Sequence, residues 1–189
     1  MHGNTDITLV PIHIAQAPEL SIMCRELHME SFAYLWEDDG EWYLNEVYGM
    51  DRIQAELQDP GTNLFFIERE GSRIGYLKLN PYSDLDDEPA GLEIERIYLY
   101  RKFAGKGLGT RVMNAALAIA ERYARNYVWL HVMDSSIASI KFYLRRGFSI
   151  VGETRLPFEP MKPSYRRMWR MKRALESSSS LSGMPGTEA

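Results

Sequence analysis

The sequence predicts an α/β protein: one domain built on a mixed seven-stranded sheet. The 189 residues approximate the usual length of one domain. Apolar residues alternate with a period of two in some segments and recur with a helical period in others. These segments follow the order β-α-α-β-β-β-α-β-α-β-β, which predicts about four helices on the sheet. Residues 1–175 are predicted to form the domain. Residues 176–189 are small and polar and are predicted to form a flexible tail.

The first half of the chain is predicted to combine two helices with antiparallel strands. The apolar periods indicate a strand at residues 7–14 and helices at 17–36 and 41–57. Asp59-Pro60-Gly61 is a clear stop signal after the second helix. Strands then follow at residues 63–69 and 73–79, and the short segment "EGS" between them predicts a hairpin.

The second half is predicted to contain a parallel pair of strands at the centre of the sheet. A strand at residues 92–100 leads through a glycine-rich turn into a helix at 107–123 and a strand at 128–133. The helical crossover makes these two strands parallel. The remaining segments are a helix at 136–146 and strands at 148–151 and 165–172. The turn after the first of the parallel strands lies where ligand crevices form in open sheets.

Composition excludes several classes of function. The 22 Lys and Arg residues against 26 Asp and Glu residues give a formal charge of −4, which is unlike a general nucleic-acid binder. Cys24 is the one cysteine, so no intrachain disulfide forms, and the four histidines lack metal-ligand spacing. We find no signal peptide and no apolar segment long enough to span a membrane. The sequence therefore predicts a cytoplasmic protein with no metal and no membrane partner.

The stretch "RKFAGKGLGTRVM", residues 101–113, places Gly105, Gly107 and Gly109 at alternate positions before a helix. The spacing differs from the G-x-G-x-x-G of dinucleotide-binding folds. It also differs from a P-loop, because Lys106 precedes Gly107 and no Mg²⁺-binding hydroxyl follows the lysine. Two interpretations stay open at this point: a turn without a ligand, or backbone N–H groups at a helix N-terminus that hold a pyrophosphate.

Two longer segments decide between these interpretations. Residues 94–113, "IERIYLYRKFAGKGLGTRVM", and residues 128–153, "VWLHVMDSSIASIKFYLRRGFSIVGE", resemble the GNAT superfamily of acetyl-CoA-dependent N-acetyltransferases. The first resembles the family's fourth strand, R/Q-x-x-G-x-G/A loop and third helix, and the second its N-x-x-A-x-x-F-Y and G-F pattern. "EIERIYL" and "SIKFYLRRGF" are most similar to the spermidine/spermine N-acetyltransferases. The resemblance implies the GNAT fold and transfer of acetyl from acetyl-CoA to a primary amine, for which a polyamine is the candidate.

The resemblance also implies where acetyl-CoA binds as cosubstrate. The pantetheine arm pairs with the main chain of the fourth strand, and the diphosphate meets the glycine loop. Ala104 stands where the family usually has Arg or Gln, and Ser136 where it has Asn. We expect binding to survive, since Ala104 keeps the backbone N–H groups and Ser136 can still cap its helix. The implied cofactor-binding residues are Ile97, Tyr98, Leu99, Lys102, Ala104, Gly105, Lys106, Gly107, Leu108, Gly109, Thr110, Ser136, Ser139 and Tyr143.

Three residues are the catalytic candidates. An alkyl ammonium must lose a proton before it attacks a thioester, and the resemblance to polyamine-type members implies Glu95 as the base. Glu93 shares the same strand face and can relay the proton through water. The alternative is that both carboxylates are solvated or pair with Arg96 or Lys78. The resemblance implies Tyr143 as the acid that protonates the departing thiolate.

Further expectations concern the oxyanion and the residues without a role. A backbone N–H near Leu99 stabilises the carbonyl oxygen if the strand bulges there. Cys24 and His131 are assigned no direct role.

The acceptor-binding region is the least determined part of the sequence. Acidic segments at residues 35–48 and 82–91, the first of which contains Trp36 and Trp42, are either a site for a cation or ordinary solvated loops. A protein or peptide N-acetyltransferase and a non-catalytic CoA-binding sensor are the alternative functions. Homodimers are frequent in the family, and the aromatic residues of the first helices are compatible with one.

Overall fold

A seven-stranded mixed sheet organises residues 7–176, the part of the chain that the computed structural model describes. The strands are β1 (Thr8–Pro11), β2 (Asn63–Arg69), β3 (Ser72–Asn80), β4 (Gly91–Leu99), β5 (Tyr127–Met133), β6 (Ser149–Arg155) and β7 (Arg167–Ala174). They lie in the order β1-β2-β3-β4-β5-β7-β6. Only β4 and β5 pair in parallel among these strands. The predicted mixed sheet with a central parallel pair is confirmed.

The four predicted helical segments are present, and the second is divided in two. The helices are α1 (Ala17–Phe32), α2 (Glu41–Tyr48), α3 (Met50–Gln58), α4 (Leu108–Arg122) and α5 (Ile137–Leu144). Gly49 separates α2 from α3 with an extended backbone, φ −62° and ψ 154°. Its N–H donates to the Asn45 carbonyl at 3.1 Å and ends α2, and its carbonyl accepts from the Ile53 N–H at 3.0 Å and begins α3. The predicted tail, apart from residue 176, lies outside the described residues.

The sheet separates two apolar layers. On one face α4 packs against strand residues such as Ile67, Leu77 and Ile94. On the other face α1 and α3 pack against Phe66 and Tyr76. Neighbouring strand residues such as Phe66 and Ile67 therefore face opposite layers, as the two-residue period of a strand requires. Side chains from both layers line a cleft at the centre of the sheet.

An aromatic cluster joins α1, α2 and the segment between them to the loop between β6 and β7. Trp36 pairs as an isolated bridge with Met161, and its indole N–H donates to His28 Nε2 at 2.9 Å. Trp36 is 2% exposed, and Trp42 and Phe158 pack beside it. Burial lowers the pKa of His28 to about 4, and the nearby Arg96 charge adds to this, so the imidazole is a neutral acceptor within the cluster.

Strand β4 carries a bulge at Glu95. Lys78 of β3 pairs with Arg96, but the next residue, Leu79, pairs with Ile94, so Glu95 is an extra residue in β4. The parallel pairing of β4 with β5 ends just before it, at the pair of Glu93 with Trp129. The two central strands therefore diverge from this point.

A buried ion-pair network lies beneath the bulge. The Arg96 guanidinium donates to both Glu56 carboxylate oxygens, at 2.8 and 3.0 Å. The Lys78 ammonium contacts Glu56 at 3.0 Å and Glu95 at 2.7 Å. Because two carboxylates face two cations, the formal charges of this network cancel. Glu56, Lys78 and Arg96 are each less than 8% exposed, and the network fixes α3 to the centre of the sheet.

The buried network should contribute strongly to the stability of the fold. We expect Arg96→Met to reduce the free energy of unfolding by about 3–5 kcal/mol, because it leaves the buried Glu56 carboxylate with less compensation. Urea-induced unfolding followed by circular dichroism measures the change. The control is Arg52→Met, since Arg52 contacts the same carboxylate at 3.4 Å but is 60% exposed. This substitution should reduce the free energy of unfolding by less than about 1 kcal/mol. Equal losses in the two variants would contradict the assignment.

Candidate active site

The divergence of β4 and β5 opens a cleft of about 670 Å³. One wall is the second half of β4, the other is the end of β5, and α5 contributes its N-terminal end. Seven of the sequence-predicted cofactor residues line this cleft: Ile97, Tyr98, Leu99, Ala104, Ser136, Ser139 and Tyr143. Glu95 lines the same cleft, so the predicted base and acid candidates share one space with them.

One backbone edge of β4 is open to the cleft. Beyond Glu93, no described strand pairs with β4 on the β5 side. Such an edge can form main-chain hydrogen bonds to an extended, amide-containing ligand, as an added strand would. The bulge considered near Leu99 lies at Glu95 instead, since Leu99 pairs in register with Gly75. A Cβ at Gly75 would lie 2.0 Å from the Tyr98 carbonyl oxygen, so glycine permits this close pairing.

The glycine loop leads from the cleft to the N-terminus of α4. Gly105 and Gly107 have φ angles of +75° and +72°, in the left-handed region that glycine tolerates best. Within the described residues, the N–H groups of residues 105–109 make no hydrogen bond to the backbone. A run of N–H groups without backbone partners at a helix N-terminus is an anion-binding arrangement. The Lys102 and Lys106 ammonium groups lie nearby, 5.3 and 5.8 Å from the centre of the Phe103 ring.

Three residues of the predicted cofactor set contribute differently from expectation. The Leu108 side chain is 1% exposed and packs in the core, which leaves its N–H as the group at the loop. The Thr110 N–H donates to the Gly107 carbonyl at 3.1 Å, and the Thr110 hydroxyl accepts from Arg146. The expectation that Ser136 caps α5 is wrong: its side chain makes no capping bond, because its ψ of 63° departs from the extended conformation of a capping residue.

Tyr143 lies on α5 between the apolar core and the cleft. Its ring packs against Phe142 and Phe148, at centroid distances of 5.4 and 5.8 Å. Burial raises the pKa of Tyr143 to about 12. The phenol is therefore protonated at neutral pH and able to donate a proton or a hydrogen bond into the cleft.

The two candidate carboxylates converge on one amide. Asn80 Nδ2 donates to Glu93 at 2.9 Å and to Glu95 at 2.8 Å. Glu95 also contacts Lys78 and Arg96, so the alternative in which it pairs with these cations is present in the structure. Burial alone would raise the pKa of Glu95, but the charges of Arg96 and Lys78 outweigh burial and lower it. Glu95 is consequently ionised and a weak proton acceptor.

His131, to which the sequence assigned no direct role, lies at the cleft. Its side chain lines the cleft and is 29% exposed, with Nδ1 3.7 Å from a Glu93 carboxylate oxygen. The strand register identifies its position: Trp129 pairs with Glu93, and His131 lies two residues further along β5, on the same face. The sequence does not contain the register of β4 against β5, and alternation within β5 alone does not tell which of its two faces lies beside Glu93.

The acidic loop before β4 is engaged in structural contacts. Arg170 of β7 binds Asp86 at 2.6 Å, and Lys172 binds Glu88. The Asp84 carboxylate accepts from the Gly91 N–H at 2.8 Å. These carboxylates hold the loop against β7 and the start of β4, which opposes the interpretation of the loop as a cation site. Trp36, proposed to take part in such a site, is buried.

Cys24 and the remaining polar groups add no second site. Cys24 is 1% exposed, and burial raises its pKa to about 12, so it is not a nucleophile. Residues 7–176 contain no group of three His, Cys, Asp or Glu side chains arranged to hold a metal ion. Over the same range, no helix has the length and apolar character needed to cross a membrane.

Comparison with known proteins places the chain in a family. A model of the acetyltransferase (GNAT) family matches residues 22–148. An uncharacterised N-acetyltransferase from the pepI 3′ region of Lactobacillus delbrueckii subsp. lactis is 30% identical over 156 residues, covering 79% of this chain and 88% of that protein. The spermine/spermidine N(1)-acetyltransferase of Bacillus subtilis (strain 168) is 30% identical over 87 residues, or 44% of this chain and 57% of that one.

A solved structure extends the likeness to the whole fold. The PaiA N-acetyltransferase from Thermoplasma acidophilum, crystallised in complex with coenzyme A, superimposes with a TM-score of 0.70. The sequences are 16% identical, and the match covers 90% of this chain and all of that one. The fold, the cleft between its diverging central strands and the family model agree, and the chain belongs to the acetyltransferase (GNAT) family.

Proposed function

We propose that the chain transfers the acetyl group of acetyl-CoA directly to a primary amine of a small molecule. The observation that carries this proposal is the single cleft lined by the open edge of β4, Tyr143 and Glu95. An acetyl thioester held along β4 would present its carbonyl to an amine on the carboxylate side of the cleft. Membership of the acetyltransferase family supports the same reaction.

The cleft and loop suit the two ends of the cosubstrate. The pantetheine arm contains amides, which match the unpaired edge of β4 at Ile97 and Leu99. The diphosphate is an anion, which matches the N–H groups of residues 105–109 and the Lys102 and Lys106 charges. Ala104 lines the cleft and offers no side-chain donor, and its N–H already donates to the Arg101 carbonyl at 2.9 Å, so the N–H groups of residues 105–109 would supply the recognition. The complex of PaiA with coenzyme A supports this proposal for the related fold.

The chemistry requires one proton to leave the amine before attack and another to reach the thiolate. The neutral amine nitrogen forms a bond to the acetyl carbon, and the carbon–sulfur bond breaks. Tyr143 donates a proton to the sulfur and regains one from the new amide nitrogen, which becomes neutral. Glu93 and Glu95 lie on the amine side: the Glu93 charge attracts an alkyl ammonium, and Glu95 offsets the nearby Lys78 and Arg96 charges that would repel it.

A polyamine is the specific acceptor that we propose. The similarity to the Bacillus subtilis spermine/spermidine N(1)-acetyltransferase supports it, although that match spans about half of each chain. The test is acetyl-CoA-dependent thiol release across polyamines, amino acids, aminoglycosides and peptides. Polyamines should give the highest kcat/KM. Preference for peptides would instead identify a peptide acetyltransferase, and cofactor binding without any turnover would identify a CoA sensor.

The loop geometry predicts that two glycine substitutions reduce stability equally but that only one of them reduces the affinity for acetyl-CoA. Gly107→Ala and Gly71→Ala each place a Cβ at positive φ, +72° and +74°, in open space, so both should cost about 1 kcal/mol in stability. Only Gly107→Ala should weaken the binding of acetyl-CoA, by roughly tenfold. The backbone would relax to relieve the strain at this residue, and the N–H groups would then point in other directions. Calorimetric titration with acetyl-CoA measures the affinity. Unchanged affinity in Gly107→Ala would exclude the loop as the diphosphate site.

Tyr143→Phe tests the acid. The variant should lower kcat by about 10²–10⁴-fold, because the leaving thiolate loses its proton donor. The acetyl-CoA dissociation constant should change little, since the ring and its packing remain. Tyr82→Phe is the control, because the Tyr82 side chain is 63% exposed and lies outside the cleft. A wild-type kcat in Tyr143→Phe would remove this role.

Glu95→Gln tests the amine side. Removing one carboxylate leaves Lys78 and Arg96 with excess positive charge, which repels an alkyl ammonium. The profile of kcat/KM against pH should therefore move toward higher pH, where more of the amine is neutral. Glu153→Gln is the control, since Glu153 is exposed on β6 at 60%. Superimposable profiles for Glu95→Gln and the wild type would contradict the role of this carboxylate.

A further inference from the structure

We propose that His131 is the group that removes the proton from the acceptor amine, and that Glu93 stabilises the imidazolium that results. The inference rests on the proposed acetyl transfer and names a proton acceptor within it. Glu95 is poorly suited to that task, because Lys78, Arg96 and Asn80 already contact its carboxylate. The amine side of the cleft holds another group of suitable chemistry.

The register of β5 places His131 on the amine side. Val128, Leu130 and Val132 pack in the core with α4, so the alternate residues of β5 face the opposite layer. Glu93 and Glu95 project to that same side of the sheet, as their contacts with Asn80 and Lys78 show. The imidazole packs edge-on against Trp129, 5.2 Å between centroids, and this contact limits the positions that the ring can adopt.

The carboxylates near His131 differ in how far neighbouring cations offset them. The carboxylates of Glu56 and Glu95 are offset by Lys78 and Arg96, which leaves the Glu93 charge. Among the ion pairs of residues 7–176, the partner of Glu93 is His131, at 3.7 Å. This distance is too long for a hydrogen bond, and a small rotation of the ring on protonation would shorten it.

Two cations of β7 also lie on this face of the sheet. Arg170 of β7 pairs with His131 across the sheet and shares its face. Its guanidinium binds Asp86 at 2.6 Å, so a carboxylate offsets that charge too. Lys172 of β7 pairs with Trp129 and shares this face, and Glu88 offsets its charge. These groups lie on the same side of β5 as Glu93 and as Glu95 with its partners Lys78 and Arg96.

His131 takes one proton from the acceptor in each reaction cycle and releases it to water. The ammonium proton passes to His131 Nε2, and Nδ1–H points toward the Glu93 carboxylate. The neutral amine then attacks the acetyl carbon. The carbon–sulfur bond breaks, and Tyr143 donates a proton to the departing sulfur. His131 returns its proton to water, so that each turnover of an alkyl ammonium releases one proton. Histidine is the side chain whose charge ordinarily changes near neutral pH, which suits it to this cycle.

The experiment uses an amine that the wild-type protein acetylates. The profile of kcat/KM is measured from about pH 6 to about pH 10 for His131→Ala and His131→Gln. Near neutral pH both variants should lose about 100-fold, and the loss should narrow as the amine itself becomes neutral. Added imidazole should restore part of the activity of His131→Ala, because the vacated position is partly exposed. His13→Gln is the matched control, since His13 is exposed and lies outside the cleft.

The outcomes separate this inference from the proposed function. Wild-type rates in both His131 variants overturn the inference and leave acetyl transfer standing. An equal loss at every pH without imidazole rescue also overturns it, because a purely structural role predicts that result. If no amine supports thiol release in the wild type, both proposals are wrong. Should the His131 variants not fold, Glu93→Gln decides: a pH-dependent loss of about tenfold supports the pair, and an unchanged profile overturns it.

Discussion

The extra residue in β4 is the constraint on which the rest of this structure depends. In a regular strand Glu95 and Arg96 would face opposite layers, but the bulge turns both toward α1 and α3. Arg96 must then be buried, and α3 supplies Glu56 to neutralise it. The same irregularity lies where β4 leaves β5. One local feature therefore opens the cleft, and a buried ion-pair network holds it in place.

The sheet was predictable because its signals are local. Alternation, the "EGS" hairpin and the glycine turn identify strands and connections within windows of about ten residues. The division of α2 from α3 at Gly49 was missed, since helical periodicity continues across it. The bulge depends on which residue of β3 lies opposite each residue of β4. That register is set by contacts distant in sequence, and the pattern of β4 alone does not contain it.

The site shows the same distinction. Loop residues that act through the backbone, such as Gly105 and Gly107, could be identified from a motif, and their geometry suits an anion. Residues that act through their side chains depend on partners. From sequence the acidic loop is either a cation site or an ordinary solvated loop, whereas in the fold Arg170 and Lys172 pair with two of its carboxylates. His131 has no distinguishing local pattern, and its position beside Glu93 comes from the parallel register.

Charge cancellation on the amine side bears directly on the proposed reaction. A cluster of uncompensated carboxylates would bind an alkyl ammonium well but would also stabilise its protonated form, which cannot attack a thioester. Here Lys78 and Arg96 offset two carboxylates, and Glu93 keeps its charge beside His131. Such a site attracts the cation through one charge and places a proton acceptor next to it. The ion pairs that stabilise the bulge would thus also keep the site from holding its substrate in the unreactive protonation state.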